Sequence, residues 1–240
     1  NASTVVADLA PPTRPCGAVA AWAARVREAS ELAGRRIGDL LAAGSGRTMI
    51  DLARAVARAS DGPLVLGASN PVRAFDLAVP SLEGRAVHSN RGQAGIDGTV
   101  ATSVGVALGS ASSRSASSGG RVTAVMGDLT LCHDASSLAL AAATHSDLDI
   151  VLADDNGGGI FATLEHGAAA SRGAYDRWFG LAQSVDYAAL ASAYGVSFAR
   201  ADTPEELSSI LATPAPGPRL IHAPVERAAH LYGAIRDILC

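Results

Sequence analysis

Two short stretches of the chain combine residue types that can hold a metal ion and a phosphate. One reads Val125-Met126-Gly127-Asp128-Leu129-Thr130, the other Ile150-Val151-Leu152-Ala153-Asp154-Asp155-Asn156-Gly157-Gly158-Gly159. Each is an apolar run that ends in acid and glycine, and residues 136–144 between them are helical in character. This is the pattern of a β-α-β unit, whose two strand ends emerge on the same edge of a sheet, where open α/β sheets bind ligands. Asp128 and Asp155 are therefore expected to project towards one point. Two hard carboxylate oxygens, with a carbonyl from the glycine-rich turn, suit Mg²⁺ completed by phosphate oxygens and water. Glycines let a backbone approach an ion or ligand without Cβ interference, and the helix after Asp128 offers N–H groups to a diphosphate. Taken singly, a strand-terminal Asp caps a helix or turns a loop. It is the pair, with three glycines in a row, that points to an ion. Clustered strand-end acids also mark phosphorylated receiver domains, but those want a Lys at a later strand end, and all 19 basic residues here are Arg. The six histidines show no metal-ligand spacing. His133, beside Asp134, invites a catalytic role, yet its place just past Asp128 predicts a loop or a first helical turn.

These residues need a scaffold, and the periodicity supplies one. Helix-forming residues at helical spacing predict helices over 17–43 and 49–59. Short apolar runs at 63–67, 86–89, 121–126 and 148–153 predict strands, with weaker candidates at 196–199 and 219–223. Helices are expected between and after them at 99–109, 136–144, 186–194, 204–212 and 227–239. Strands alternating with amphipathic helices predict an α/β fold, a parallel sheet with helices on both faces. The Ser/Gly-rich stretch 110–120 reads as a surface connection. A boundary near 44–48 would set a leading helical segment, residues 1–44, apart from one α/β domain, residues 45–240. Trp22 and Trp178 are expected to be packing residues, and residues 175–180 a loop over the site.

Composition narrows the class. Apolar residues are 48% of 240 and aromatics only 4%, so a sizeable core is possible, built from Ala, Val, Leu and Ile, and disorder is excluded. A net charge of −4 without a basic run argues against nucleic-acid binding. No stretch approaches a membrane-spanning length of apolar residues. Cys16, Cys132 and Cys240 are widely spaced with no C-x-x-C, which suits a reducing cytoplasmic compartment, and Cys132 is expected to be a small buried residue. The start at Asn1-Ala2-Ser3, with neither Met nor a secretory pattern, leads us to expect a piece of a longer protein.

Gly127-Asp128-Leu129 with Asp155-Asn156-Gly157 resembles the Gly-Asp-Gly … Asn-Asn signature of thiamine-diphosphate enzymes, with Leu129 in place of the second Gly. Three further blocks narrow the resemblance: Leu66-Gly67-Ala68-Ser69-Asn70-Pro71-Val72-Arg73, then Ser89-Asn90-Arg91-Gly92 with Gly95-Ile96-Asp97-Gly98-Thr99, and Asn156-Gly157-Gly158-Gly159-Ile160-Phe161. Over about residues 64–164 the chain is similar to one branch, the 2-succinyl-5-enolpyruvyl-6-hydroxy-3-cyclohexene-1-carboxylate synthases of menaquinone biosynthesis. The resemblance implies the C-terminal, diphosphate-binding domain of the thiamine-diphosphate fold, preceded by the tail of a central domain. It also implies a transferase that decarboxylates 2-oxoglutarate and adds the succinyl carbanion to isochorismate in a conjugate addition. By the same resemblance Asp128, Asp155 and the Gly157 carbonyl would bind Mg²⁺ or Mn²⁺. Ile96 would hold the cofactor bent. Asp97, Gly127, Leu129, Thr130 and Asn156 would line its pocket, with Ile160, Phe161 and Leu164 shaping it further along. Both substrates are dicarboxylates, which fits the guanidinium forks of Arg73 and Arg91; Ser69 and Asn70 would bond substrate oxygens. The Glu that acts on the cofactor's pyrimidine nitrogen is expected on an N-terminal domain of a partner subunit, in a homodimer or dimer of dimers. Another thiamine-diphosphate decarboxylase or ligase, or a non-catalytic cofactor-binding subunit, stays open at this point.

Overall fold

The computed structural model describes residues 17–44, 46–90, 95–112, 120–164 and 172–239. The chain divides into two compact units, one holding the first helix and the end of the last, the other running from Gly44 to Ala234. In the first, α1 (Gly17–Ala42) buries Ile37 and Leu41. Its Trp22 is 60% exposed, so the expectation of a packing residue fails there.

The larger unit starts with a helix whose first turn is closed by its own sequence. Ahead of α2 (Met49–Ala59), Thr48 Oγ1 accepts from the Asp51 N–H and the Asp51 carboxylate accepts from the Thr48 N–H, a reciprocal capping box. There follow β1 (Leu64–Leu66), α3 (Asn70–Ala78), β2 (Val87–His88), α4 (Thr99–Ser112), β3 (Val122–Gly127) and α5 (Asp128–His133). A 3₁₀ turn (Ala135–Ser137) leads into α6 (Leu138–Ala143), so the helix expected over 136–144 is split in two. Next come β4 (Leu148–Asp154), a second 3₁₀ turn (Gly159–Thr163), α7 (Arg172–Tyr175) and a π turn (Asp176–Gly180). The unit continues with α8 (Tyr187–Ala193), β5 (Ser197–Arg200), α9 (Pro204–Ala212) and β6 (Arg219–Pro224); α10 (Ala229–Leu239) straddles the division. Of the connection expected at 110–120, residues 110–112 extend α4 and 113–119 lie outside the described residues.

All six strands are parallel, in the order β2-β1-β3-β4-β6-β5. In the four inner strands, β1, β3, β4 and β6, side chains alternate between two buried faces, whereas the edge strands β2 and β5 are largely exposed. Val65, Val122, Ala124, Met126, Leu148, Ile150, Leu152 and Leu220 pack with Val100 and Val104 of α4, Leu131 of α5, Leu138 of α6 and Ala191 of α8. The intervening residues, among them Val125, Val151 and Ile221, are equally buried on the opposite face, where α2 packs on α3 and α9. Helices thus cover both faces, which is why the strands read as continuous apolar runs. One charge breaks that run. Asp149 is 1% exposed and is held by Arg219 through two bonds, of 2.8 and 3.0 Å, and by Arg121 at 2.9 Å.

The winding reverses between β1 and β3: the chain steps from β1 outward to β2 and then returns past β1 to β3. That reversal leaves a crevice beyond the carboxyl ends of β1 and β3, the place where open α/β sheets take ligands. Among the described residues no helix is long and apolar enough to cross a membrane.

Candidate functional site

The register of β3 on β4 sets Gly127 opposite Ala153, so the acids that follow each strand meet at one edge. Asp128 opens α5 and is 1% exposed. Its Oδ1 accepts from the Leu129 N–H at 2.8 Å, while Oδ2 is buried with no hydrogen-bond partner among the described residues. Burial pushes its pKa up to about 7; the Leu129 N–H opposes this and the charges of Asp155 and Asp154 add to it. Asp155 is pushed up to about 6, again chiefly by burial, against the pull of Arg227 and bonds from the Gly159 N–H and Asn70. Asp154 is the exception. A bond from His222 Nε2 at 2.8 Å holds it below the ordinary carboxylate range, and its other oxygen accepts from the Asn156 N–H at 2.9 Å. Of three crowded carboxylates, one is satisfied by the protein and two are short of positive charge.

The turn after β4 is clamped from several sides. Arg227, just beyond β6, donates from Nε to the Asp155 carbonyl at 2.7 Å and from a terminal nitrogen to the Asn156 carbonyl. The Gly158 N–H donates to the Gly180 carbonyl at 2.8 Å, Tyr175 Oη donates to the Gly158 carbonyl at 3.0 Å, and the Gln183 N–H donates to Asn156 Oδ1 at 3.0 Å. Residues 175–183 therefore pack against this turn. A Cβ at Gly157 would strike the Gly180 carbonyl, one at Gly158 the Phe179 carbonyl, and one at Gly159 the Asp155 carboxylate; Gly157 also has φ +125°. Gly157 and Gly158 thus admit a neighbouring stretch of protein backbone and Gly159 admits the Asp155 carboxylate, where the sequence suggested only an ion or ligand. The free N–H groups expected at the start of α5 are likewise fewer, because Asp128 takes the Leu129 N–H for itself.

In the crevice lies a cavity of about 340 Å³. Ser69, Asn70, Arg73, Ile96, Leu129, Thr130, Asp155, Gly157, Ile160 and Phe161 line it, together with Met49 and Ala68, which sequence reasoning did not single out. Gly127, Asp128 and Asn156 do not line it but adjoin residues that do. Ser69 sits at the mouth of α3 with φ +78°, a strained backbone for a residue with a side chain. Its hydroxyl makes no cap bond, and its carbonyl accepts from Arg73 at 2.6 Å. Leu164 and Asp97 lie outside the cavity wall as well: Leu164 is 52% exposed, and Asp97 is paired with His133, 3.2 Å away. Arg91 lies outside the described residues. Trp178, expected to pack, is 64% exposed with the Arg177 guanidinium over its ring, and Cys132 is half-buried where a fully buried residue was expected. Arg227 and His222 were missed altogether. Their only signal was position just before and after the carboxyl end of a strand, and its use requires knowing that β6 lies beside β4.

Among the described residues no group of three or more His, Cys, Asp and Glu has the arrangement of a complete metal site. A cation here would need oxygens from a ligand as well as from Asp128 and Asp155. Residues 79–223 match the family model described as thiamine pyrophosphate enzyme, C-terminal TPP binding domain. The chain is 43% identical over 212 residues to a 2-succinyl-5-enolpyruvyl-6-hydroxy-3-cyclohexene-1-carboxylate synthase of Nocardioides sp. (strain ATCC BAA-499 / JS614), covering 86% of this chain and 38% of that protein. To the proteins of the same name from Rhodococcus erythropolis and Mycobacterium avium it is 43% and 40% identical, covering 90% and 91% of this chain and 40% of each relative. The chain thus spans about 40% of the length of the curated relatives it matches. Among solved structures, benzoylformate decarboxylase from Polynucleobacter necessarius aligns with a TM-score of 0.61 at 18% identity, over 74% of this chain and 33% of that one. A putative thiamin diphosphate-dependent enzyme from Mycobacterium smegmatis aligns with a TM-score of 0.60 at 18% identity, over 76% and 32%. At that identity the likeness speaks for the fold alone. The family match covers more than half of the chain and contains both strand-end acids: the chain belongs to the thiamine pyrophosphate enzymes and carries their C-terminal TPP-binding domain.

Proposed function

We propose that the crevice holds the diphosphate of thiamine diphosphate through Mg²⁺ or Mn²⁺ on Asp128, Asp155 and the Gly157 carbonyl. In this reading the site serves the synthase reaction for which the relatives are named, with 2-oxoglutarate and isochorismate as substrates. The observation that carries it is the buried, unpartnered Oδ2 of Asp128 beside a second carboxyl short of positive charge. A divalent ion held by these two carboxylates would neutralise both and would favour an anionic diphosphate as the further ligand.

Thiamine diphosphate supplies the electron sink for loss of CO₂ from a 2-oxo acid and for forming the new carbon–carbon bond. The chain's own residues bind and orient. Ile96, Ile160 and Phe161 give the cavity an apolar wall that excludes water where charge is moved. Arg73 lines the same cavity, and its bond to the Ser69 carbonyl aims the guanidinium from the first turn of α3. There it presents a planar fork to a substrate carboxylate; Arg91 is assigned the second. Asn70 holds Asp155. We assign the remainder of the active site to a partner subunit of a homo-oligomer, consistent with a chain that spans about 40% of its relatives. The few, widely spaced cysteines support a cytoplasmic location.

The test is calorimetric and kinetic, in the full-length protein. Thiamine diphosphate binding should require a divalent ion and should be lost in Asp128→Ala. Turnover of 2-oxoglutarate should be measured with and without isochorismate. Arg73→Ala and Arg91→Ala should raise KM for the dicarboxylates by roughly 10- to 100-fold, the loss of a charge-assisted bond or two. Unchanged affinity in Asp128→Ala, or unchanged turnover in both arginine variants, overturns the corresponding assignment.

A further inference from the structure

We propose that Asp134 is a positioning residue: it fixes the Ile96 wall of the cavity relative to the Asp128 anchor. The proposal rests on the cofactor reading given above and extends it to a residue outside the cavity. The starting point is a helix that cannot cap itself. The residue ahead of α4 is Gly98, at φ +64°, a conformation that suits glycine and leaves no side chain to accept from the first N–H groups of the helix. Those donors are satisfied from elsewhere. Asp134 Oδ2 accepts from the Val100 N–H at 2.7 Å and from the Ala101 N–H at 3.0 Å, across more than 30 residues of chain. Its Oδ1 accepts from the Ser137 hydroxyl at 2.6 Å, so the carboxylate is itself held in place. The group is 9% exposed, and a buried carboxylate facing a helix N-terminus is the strong form of this contact.

Both ends of this link lead to the site. Asp134 closes the helical stretch that Asp128 opens, and its own N–H returns to the Thr130 and Leu131 carbonyls. At the other end, the Thr99 hydroxyl donates to the Ile96 carbonyl at 3.1 Å, and Asn90 Nδ2 reaches Thr102 Oγ1 at 3.0 Å. One carboxylate therefore couples the loop bearing Ile96 to the helix bearing Asp128, Leu129 and Thr130. The second tie, His133 to Asp97 at 3.2 Å, is more than half exposed on both sides and adds little. Asp134 does not itself line the cavity. It acts by keeping two parts of the cavity lining in a fixed relation, so its loss should disturb orientation more than anchoring.

The experiment compares Asp134→Ala and Asp134→Asn in the full-length protein with Mg²⁺ and thiamine diphosphate. Asn keeps an oxygen that accepts from both N–H groups and should behave as wild type. In Asp134→Ala, amide exchange at Val100 and Ala101 should accelerate. The near-ultraviolet circular dichroism of the bound cofactor should change, and kcat should fall roughly 10- to 100-fold, as small misplacements of reacting groups do. Cofactor affinity should change far less than kcat. Should Asp134→Ala fail to fold, Asp134→Glu, which keeps the charge but lengthens the reach by one methylene, carries the same test. An unchanged kcat and dichroism despite faster exchange overturns the proposal, as does unchanged exchange, equal loss in affinity and kcat, or an Asn variant as impaired as Ala. If the wild-type protein does not bind thiamine diphosphate, the cofactor reading itself fails and the positioning role with it, whereas amide exchange judges the link alone.

Discussion

Replacing Asp128 by Asn should stabilise the domain and disable it, and the size of the gain should depend on pH in a way that the site dictates. Burial raises the Asp128 pKa from 3.8 to about 7. A carboxyl whose folded pKa lies above its unfolded value contributes stability that is complete below about pH 4 and is lost as pH rises towards 7. At 1.36 kcal/mol per pKa unit, the full loss is about 4 kcal/mol at pH 8 and about 2 kcal/mol at pH 5, so the two differ by about 2–3 kcal/mol. Asn has nearly the same shape and no charge to desolvate, and it removes the repulsion with the carboxylates of Asp155 and Asp154. Urea unfolding with chelator present should therefore show Asp128→Asn more stable than wild type, by about 2–3 kcal/mol more at pH 8 than at pH 5. Mg²⁺ and thiamine diphosphate together at about a hundred times their Kd should restore about 2.7 kcal/mol to the wild type and nothing to the variant. A stability gap that is the same at pH 5 and pH 8 would refute the reasoning, because an acid that carries no desolvation cost has no need of a cation. Destabilisation of this kind is what a binding residue shows when its ligand is absent.

Three further outcomes follow from named contacts. Arg227→Ala frees the Asp155 and Asn156 carbonyls; Mg²⁺ affinity measured by calorimetry should fall roughly 10- to 100-fold, the usual effect of removing a support behind a ligand, and an unchanged affinity would show that the turn holds itself. Arg219→Ala leaves Asp149 buried at 1% exposure with Arg121 as its remaining ion partner. Urea unfolding should show a loss of about 3–5 kcal/mol, and replacing both Arg219 and Asp149 by apolar residues should recover most of it. Gly158→Ala drives a methyl into the Phe179 carbonyl; limited proteolysis should then open the 172–183 segment while leaving the sheet intact, and a protected segment would count against the close packing described here.

How much of this was legible in the sequence follows from which contacts are local. The β-α-β unit from Val122 to Asp154 lies within one stretch of chain, and its pattern places Asp128 and Asp155 at one sheet edge. The neighbour of β4 on its other side is β6, about 65 residues further on with β5 between them in sequence, and no periodicity reports that order. Everything that depends on it was hidden: Arg227 under the glycine turn, His222 on Asp154, and the Arg219 fork on Asp149 inside an otherwise apolar strand. The tryptophans failed for a different reason. In a chain so poor in aromatics each ring looks like core material, yet the core here is closed by aliphatic residues on both sheet faces, and Trp22 and Trp178 are left outside.

The glycines and the His133-Asp134 pair show how a correct local rule can name the wrong agent. Three successive glycines do mean that no Cβ fits, but what excludes the Cβ is the backbone of residues 179–180 and the Asp155 carboxylate. In the pair, the imidazole is the group a catalytic role would invoke, yet it sits exposed against Asp97, whereas the plain carboxylate beside it caps α4 from another helix. That role is written in Gly98 as much as in Asp134. A helix whose preceding residue has no side chain must find its acceptor elsewhere or leave its first N–H groups unpaired. A helix preceded by glycine close to a candidate site is therefore a reason to look for an acid distant in sequence, and here that acid belongs to the same helical segment as the metal-binding candidate.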